Sequence, residues 1–184
     1  LCFRQTATCV GHYGGFAESV RTDYRFAFPI PESLESENAA PLLCGGITVY
    51  SPMRHYGLRP DQRIGVIGIG GLGHLALQFA RAMGCEVTAF SSSPDKEEEC
   101  RRFGAHHFIV IQDKPAMQKV KGSLDFILST ATAPLNWGNF INALRPNGKL
   151  IFVGATVGNL NVPVGSFVMG QKSIGGSVIG GRAM

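Results

Sequence analysis

Three glycines, Gly68, Gly70 and Gly73, stand at the spacing G-x-G-x-x-G between an apolar segment (residues 63–67) and an amphipathic one (Leu72–Met83). At this spacing the first glycine permits a sharp turn, the second lets an anion approach bare backbone, and the third lets a strand and a helix pack closely. The free N–H groups at the start of the helix would then face a diphosphate. The motif therefore predicts a dinucleotide site. The residues expected at the diphosphate are Gly68, Gly70, Gly71, Leu72 and Gly73.

Three serines follow the next apolar segment, where an NAD-binding fold normally carries an acidic residue for the ribose 2′-hydroxyl. Ser91 takes that place, with Ser92, Ser93 and Lys96 beside it. A carboxylate would repel the 2′-phosphate of NADP, whereas hydroxyls and an ammonium can bind it. These four residues therefore favour NADP(H) over NAD.

Two observations leave that choice of cofactor open. The serines could form a simple polar turn with Lys96 in solvent, and the acidic residues Asp95 and Glu97–Glu99 lie close by. Ser93-Pro94 in turn resembles a helix start, with a serine at the N-cap and a proline at the first helical position. The backbone N–H groups of such a helix would add to a phosphate site.

The elements that must position these residues alternate from Arg63 onward between apolar strands and helices, which is typical of a parallel sheet covered on both faces. The predicted strands are residues 63–67, Glu86–Phe90, His107–Ile111, Leu124–Leu128, Lys149–Val153 and Ser173–Ile179. The predicted helices are Leu72–Met83, Asp95–Arg102 and Leu135–Leu144. Together they predict an α/β fold with a doubly wound parallel sheet, the Rossmann fold. Thr130 follows the fourth strand, at the sheet edge where ligands bind, and is a candidate cofactor contact.

Composition narrows the class of protein. The chain has 184 residues, 45% hydrophobic and 16% charged, with 24 glycines, which suits a turn-rich globular fold. A net charge of +4 without a basic cluster argues against nucleic-acid binding. The longest apolar stretch, Ile64–Ala80, contains His74 and Gln78 and is not a membrane span. Five irregularly spaced cysteines and no visible signal peptide lead us to expect a reducing, cytoplasmic location.

Residues 1–43 do not share the alternating pattern. Gly15–Val20 alternates like an antiparallel strand, and Phe26–Pro31 reads as an extended segment stopped by proline. So few strands cannot bury a face by themselves. We therefore expect residues 1–43 to be the remnant of another domain, residues 44–184 to form the NADP-binding domain, and the chain to be a fragment cut at both ends.

Two segments of the sequence resemble those of a known enzyme family. The segment Pro41–Pro52, followed by Gly68–His74, resembles the zinc-dependent medium-chain alcohol dehydrogenases, and within them the cinnamyl alcohol dehydrogenase group with its bacterial NADP-dependent aldehyde reductases. Ser91–Lys96 resembles the 2′-phosphate motif of that group. The likeness extends over essentially the whole chain. It implies hydride transfer between NADPH and an aldehyde or alcohol, and it makes residues 1–43 the tail of a mostly β, GroES-like catalytic domain.

The resemblance also implies site residues. Cys44 matches a ligand of the catalytic zinc, Thr48 a residue at the nicotinamide, and Cys2 the last of four cysteines around a structural zinc. The segments expected to line the nicotinamide end of the cleft contain Val153, Gly154, Ser177 and Ile179. Related enzymes pair two edge strands, so a homodimer through residues 173–179 is expected.

The resemblance leaves part of the site unaccounted for. The remaining zinc ligands and most of the substrate pocket would precede this chain, so the fragment alone should bind cofactor without turnover. A non-catalytic NADP-binding module and an NAD-dependent alcohol dehydrogenase stay as alternatives. His74 could face the diphosphate or could cap and pack its helix.

Overall fold

The chain folds around a six-stranded sheet in which every neighbouring pair is parallel, in the order β3-β2-β1-β4-β5-β6. The computed structural model describes residues 6–156 and 158–179. The strands are β1 (Arg63–Ile67), β2 (Glu86–Ser91), β3 (His107–Val110), β4 (Leu124–Ser129), β5 (Leu144–Phe152) and β6 (Ser173–Gly176). The strand order reverses between β1 and β4, which is where ligands bind in open sheets of this kind. The predicted doubly wound fold is confirmed.

The described residues form seven α-helices: α1 (Ser36–Pro41), α2 (Ile47–His55), α3 (Gly71–Ala82), α4 (Glu97–Arg102), α5 (Lys114–Lys119), α6 (Trp137–Ala143) and α7 (Gly165–Val168). A π-helical turn, Leu42–Gly46, joins α1 to α2. A short 3-10 turn, Pro94–Lys96, precedes α4. Among these helices none is long and apolar enough to cross a membrane.

The core lies on both faces of the sheet, as the near-continuous apolar strands predict. All six residues of β4 are buried. One core cluster packs α2 and α3 on the sheet through residues such as Met53 and Leu77, and the other packs α6 through residues such as Phe140 and Ile141. Burying both faces fixes β1 and β4 in the centre of the molecule, so the ends of these strands form a rigid support for any site there.

The prediction of a strand at Gly15–Val20 is wrong. This segment contains turns, bends and irregular backbone, and Phe16 within it is 94% exposed. Alternating apolar residues give a strand one apolar face, but a strand also needs a neighbouring backbone to pair with its N–H and C=O groups. No strand is present between residues 6 and 35 of the structure.

The fifth and sixth strands differ from their predicted bounds. β5 begins at Leu144, five residues earlier than predicted, and includes Pro146 and Gly148. The buried carboxylate of Asp125 forms an ion pair with Arg145 and accepts a hydrogen bond from the Arg63 backbone N–H at 2.9 Å, which draws the start of β5 to the sheet. β6 ends at Gly176, so its last three predicted residues lie beyond the strand.

Candidate dinucleotide-binding site

The glycine turn has the geometry that its spacing predicts. Gly68 has a φ of +83° and its N–H donates to the Phe90 carbonyl at 3.1 Å, which ties the end of β1 to β2. A Cβ on Gly73 would lie 2.1 Å from the Gly68 carbonyl oxygen, so only glycine allows α3 to approach β1 this closely. Cβ atoms on Gly70 and Gly71 would meet no heavy atom within 4 Å. The turn is therefore tight at its first and third glycines and open where a ligand would approach.

Helix α3 begins at this turn. Its N-cap is Gly70, and no side chain caps it. The Gly70 carbonyl accepts a hydrogen bond from the backbone N–H of His74 at 3.0 Å and contacts Nδ1 of the same residue at 3.1 Å. The His74 ring also packs against Phe103, with 5.2 Å between ring centroids. Of the two alternatives for His74, these contacts support the packing role, and Leu72 beside it is half-buried.

Thr130 holds the glycine turn from the neighbouring strand. Its hydroxyl donates to the carbonyls of Ile67 and Gly68, at 3.1 and 2.5 Å. A Cβ on Gly154 would lie 2.6 Å from the Ala131 carbonyl oxygen, so the loops after β4 and β5 are in direct contact. Thr156, which sequence analysis missed, donates its hydroxyl to the same carbonyl at 2.7 Å. No sequence signal marks Thr156, because its partner is 25 residues away.

The three serines after β2 differ in what their hydroxyls do. Ser91 is 5% exposed, and its Oγ accepts the Ser93 N–H at 3.1 Å and donates to the Ser93 carbonyl at 3.2 Å. Ser92 is exposed and Ser93 half-buried. Ser93 is the N-cap of the Pro94–Lys96 turn, as predicted, but its side chain makes no capping hydrogen bond. The Ser91 hydroxyl therefore shapes the loop, and Ser92 and Ser93 are the more exposed of the three serines.

Lys96 reaches back to the glycine turn. Its Nζ donates to the Ile69 carbonyl at 2.7 Å, and the side chain is part-buried there. The alternative of a fully solvated Lys96 therefore does not hold. The serine loop and the glycine turn form one continuous surface at the carboxyl edge of β1 and β2.

The predicted nicotinamide-end residues gather at the same edge, because all six strands are parallel. Val153 and Gly154 follow β5 and are half-buried, and Ser177 follows β6, where its N–H donates to the Phe152 carbonyl at 2.9 Å. Ile179 is 38% exposed. Thr48 is half-buried in the first turn of α2.

Cys44 lies exposed on the π-helical turn. Such turns are rare and are frequent at functional sites. The turn packs on α3, since a Cβ on Gly45 would be 3.1 Å from Leu75 Cδ1. Cys44 and Thr48 are thus held beside the helix that starts at the glycine turn.

The residues of this structure do not make up a zinc site. In residues 6–156 and 158–179, no group of three His, Cys, Asp or Glu side chains comes together that could hold a metal ion. A catalytic zinc needs three protein ligands, and Cys44, the predicted ligand, could supply only one of them. Cys2, the predicted structural-zinc ligand, lies outside the described residues.

Comparison with known proteins shows which family this chain resembles. The chain matches the zinc-binding dehydrogenase family over residues 71–184. Aldehyde reductase AdhA of Synechocystis sp. is 44% identical over 183 residues, which are 100% of this chain and 54% of that protein. The chain thus spans about half the length of the curated relatives it matches.

Comparison with solved structures points to the same family. Cinnamyl alcohol dehydrogenase SbCAD4 of Sorghum bicolor superimposes with a TM-score of 0.80 at 42% identity, over 84% of this chain and 44% of that one. CAD from Helicobacter pylori complexed with NADP(H) gives 0.75 at 32% identity, over 86% and 45%. The resemblance inferred from the motifs is confirmed: this chain belongs to the zinc-binding dehydrogenase family.

Proposed function

We propose that this chain is the cofactor-binding part of an NADP-dependent, zinc-dependent alcohol dehydrogenase or aldehyde reductase. The observation that carries the proposal is the open glycine turn at the start of α3, with the ammonium of Lys96 at its side. A dinucleotide fits these residues, since the turn leaves room beside Gly70 and Gly71 and, among the described residues, no side chain makes a capping hydrogen bond at the N-terminus of α3. Relatives named as aldehyde reductase and cinnamyl alcohol dehydrogenase support the reaction class.

Each end of the cofactor has its own residues in this proposal. The backbone of Gly68–Gly73 binds the diphosphate, and Ser92, Ser93 and Lys96 bind the 2′-phosphate. Ser91 contributes by shaping the loop, not by direct contact. Thr130 holds this diphosphate-binding turn in place. The nicotinamide itself, which supplies or accepts the hydride, would lie among Thr48, Val153, Gly154, Ser177 and Ile179.

Cys44 is proposed as one zinc ligand in the full-length protein. A zinc ion at this position would polarise the oxygen of an aldehyde or stabilise the alkoxide of an alcohol. Cys44 is exposed, and the turn that carries it packs on the first residues of α3, since a Cβ on Gly45 would lie 3.1 Å from Leu75 Cδ1 and 3.6 Å from Leu72 Cδ2. Cys2 is proposed as a ligand of a separate structural zinc.

The proposal also covers assembly and location. β6 is an edge strand of the sheet, and an unpaired edge favours pairing with another chain. We propose a homodimer through residues 173–179 and a cytoplasmic location for the full-length protein.

Turnover by the full-length protein tests the reaction. With NADPH and a panel of aromatic and aliphatic aldehydes, absorbance at the nicotinamide band should fall. Cys44→Ser should abolish this turnover and leave NADPH affinity within about twofold, because the thiolate holds the metal and does not contact the diphosphate turn. No turnover on the whole panel, in protein shown to contain zinc, would contradict the proposal.

A non-catalytic NADP-binding module is the second candidate. It is favoured by one observation, that no group of three His, Cys, Asp or Glu side chains able to hold a metal ion comes together among the described residues. The two candidates differ in metal content. Full-length protein that binds NADPH but contains no zinc after purification in zinc-supplemented buffer would favour the module.

A further inference from the structure

We propose that Lys96 is a positioning residue for the diphosphate-binding turn, in addition to its contact with the 2′-phosphate, so that one ammonium couples the two anion sites of the cofactor. The inference rests on the proposed function and adds to it. It predicts that Lys96 matters for cofactors that carry no 2′-phosphate at all.

The first support is the position of the ammonium. Lys96 ends the short turn after β2, yet its Nζ donates to the carbonyl of Ile69, 27 residues earlier, at 2.7 Å. Ile69 is 7% exposed and lies between the first two glycines of the motif. A hydrogen bond from a charged donor at this distance is among the stronger ones in proteins. The contact therefore joins the serine loop to the glycine turn.

The second support is the geometry of the peptide bond that Lys96 holds. In a planar trans peptide the C=O of one residue and the N–H of the next point in opposite directions. Fixing the Ile69 carbonyl towards Lys96 therefore fixes the Gly70 N–H away from it. Gly70 has no side chain to limit its backbone, so an external contact is needed to hold that direction.

The following peptide is held in the same way. The Gly70 carbonyl is bound by the backbone N–H of His74, and Nδ1 of His74 lies 3.1 Å from it. Two consecutive carbonyls of the turn thus have their own donors, one from α3 and one from Lys96. The two N–H groups opposite them, on Gly70 and Gly71, are the ones placed to bind a diphosphate.

The ammonium also remains available to a phosphate. Lys96 has three N–H donors, of which the Ile69 carbonyl takes one. Among the described residues, no ion pair involves Lys96. A 2′-phosphate beside Ser92 and Ser93 can therefore bind the remaining donors without displacing Lys96 from the turn.

Affinities of four ligands for the full-length protein separate the two roles. ADP-ribose and NADH carry the diphosphate without a 2′-phosphate, adenosine 2′-monophosphate carries only the 2′-phosphate, and NADPH carries both. Lys96→Met keeps the apolar stem and removes the ammonium. We expect it to weaken NADH and ADP-ribose by about threefold to tenfold, as the loss of one hydrogen bond would, and NADPH by more.

Two further variants are the controls. Ser92→Ala should weaken NADPH and adenosine 2′-monophosphate while NADH and ADP-ribose stay within about twofold, because Ser92 is an exposed residue of the serine loop and not part of the glycine turn. Lys96→Arg keeps a charged donor that can reach the Ile69 carbonyl, so it should restore NADH affinity. Thermal unfolding of each variant shows whether it is folded. If Lys96→Met is not folded, Lys96→Arg is the variant that tests the positioning role.

Unchanged or tighter NADH and ADP-ribose binding in folded Lys96→Met, with only NADPH weakened, would overturn the positioning role. If Lys96→Met does not fold, folded Lys96→Arg is compared with the wild type. An NADH affinity well below that of the wild type would then overturn the positioning role. Failure of the proposed function is a different result, since wild-type protein would then bind none of the four ligands.

Discussion

Single residues at this site do work that their position in the sequence alone does not reveal. That serines replace the acidic residue after β2 can be predicted from the sequence. That the hydroxyl of Ser91 is committed to Ser93 cannot, because this depends on how the loop backbone turns back on itself. The same holds for Lys96, whose partner Ile69 is distant in the sequence. Residue types therefore predict a ligand chemistry, and the structure shows which of these side chains already have partners in the protein.

His106, which precedes β3 at the amino ends of the strands, gives a prediction of how stability depends on pH. Nδ1 of His106 accepts the Val87 N–H at 2.9 Å, and Nε2 faces the guanidinium of Arg81. Both ring nitrogens thus face donors, so an extra proton on the ring would find no acceptor. Burial lowers the pKa of His106 below its ordinary 6.5, and the charges of Arg81 and His107 act in the same direction, against the opposing effect of Glu86.

The sign of the pH dependence follows from this lowered pKa. Above pH 6.5 His106 is neutral in both the folded and the unfolded protein, so its contribution to stability is complete. Below that pH the unfolded chain takes up the proton first, and the free energy of unfolding should fall as the pH decreases towards the folded-state pKa. Urea unfolding between pH 8 and about 5 measures it.

His106→Asn is the matched control, because an amide oxygen can still accept the Val87 N–H but does not titrate in this range. The variant should lose part of the decline in stability below pH 6.5. Identical pH profiles for the variant and the wild type would show that His106 does not cause the decline.

At the scale of elements, the strand–turn–helix unit β1–α3 is the part that the sequence predicts best. Long apolar runs define β1, β2 and β4, and the glycine spacing defines the turn between β1 and α3. The sequence does not predict short elements, or element bounds that depend on contacts between distant residues. Helix α5 has six residues with a proline among them and only Met117 buried, too few to show a helical period. The early start of β5 depends on the distant pair Asp125–Arg145.

The glycine turn allows its packing role to be separated from its binding role. Gly73→Ala would place a Cβ 2.1 Å from the Gly68 carbonyl oxygen, so the turn must open. We expect the free energy of unfolding to fall by about 2 kcal/mol or more and NADPH binding to be lost with it. Denaturant unfolding and a cofactor titration on the same protein measure both quantities.

Gly70→Ala is the comparison, because a Cβ there meets no protein atom within 4 Å. It should leave the unfolding free energy within about 0.5 kcal/mol and still weaken NADPH, since the new methyl group would occupy the space of the diphosphate. Equal losses of stability in the two variants would mean that the open side of the turn is not where we place it.

At the scale of the whole molecule, parallel strands bring the carboxyl ends of β1, β4, β5 and β6 to one edge of the sheet. The turn at Gly68, the contact from Thr130 and the segments around Gly154 and Ser177 therefore lie along one line, beside the point where the strand order reverses. The predicted boundary at residues 43 and 44 falls inside the helical run from α1 to α2, and the division into two domains stays a prediction.

Titration calorimetry of the full-length protein with NADPH and with NADH tests the central claim most directly. We predict saturable binding of both cofactors, with NADPH the tighter by about tenfold or more, because Ser92, Ser93 and Lys96 offer charge-assisted hydrogen bonds that only a 2′-phosphate can accept. Folded protein that gives no saturable heat with either cofactor would contradict the account.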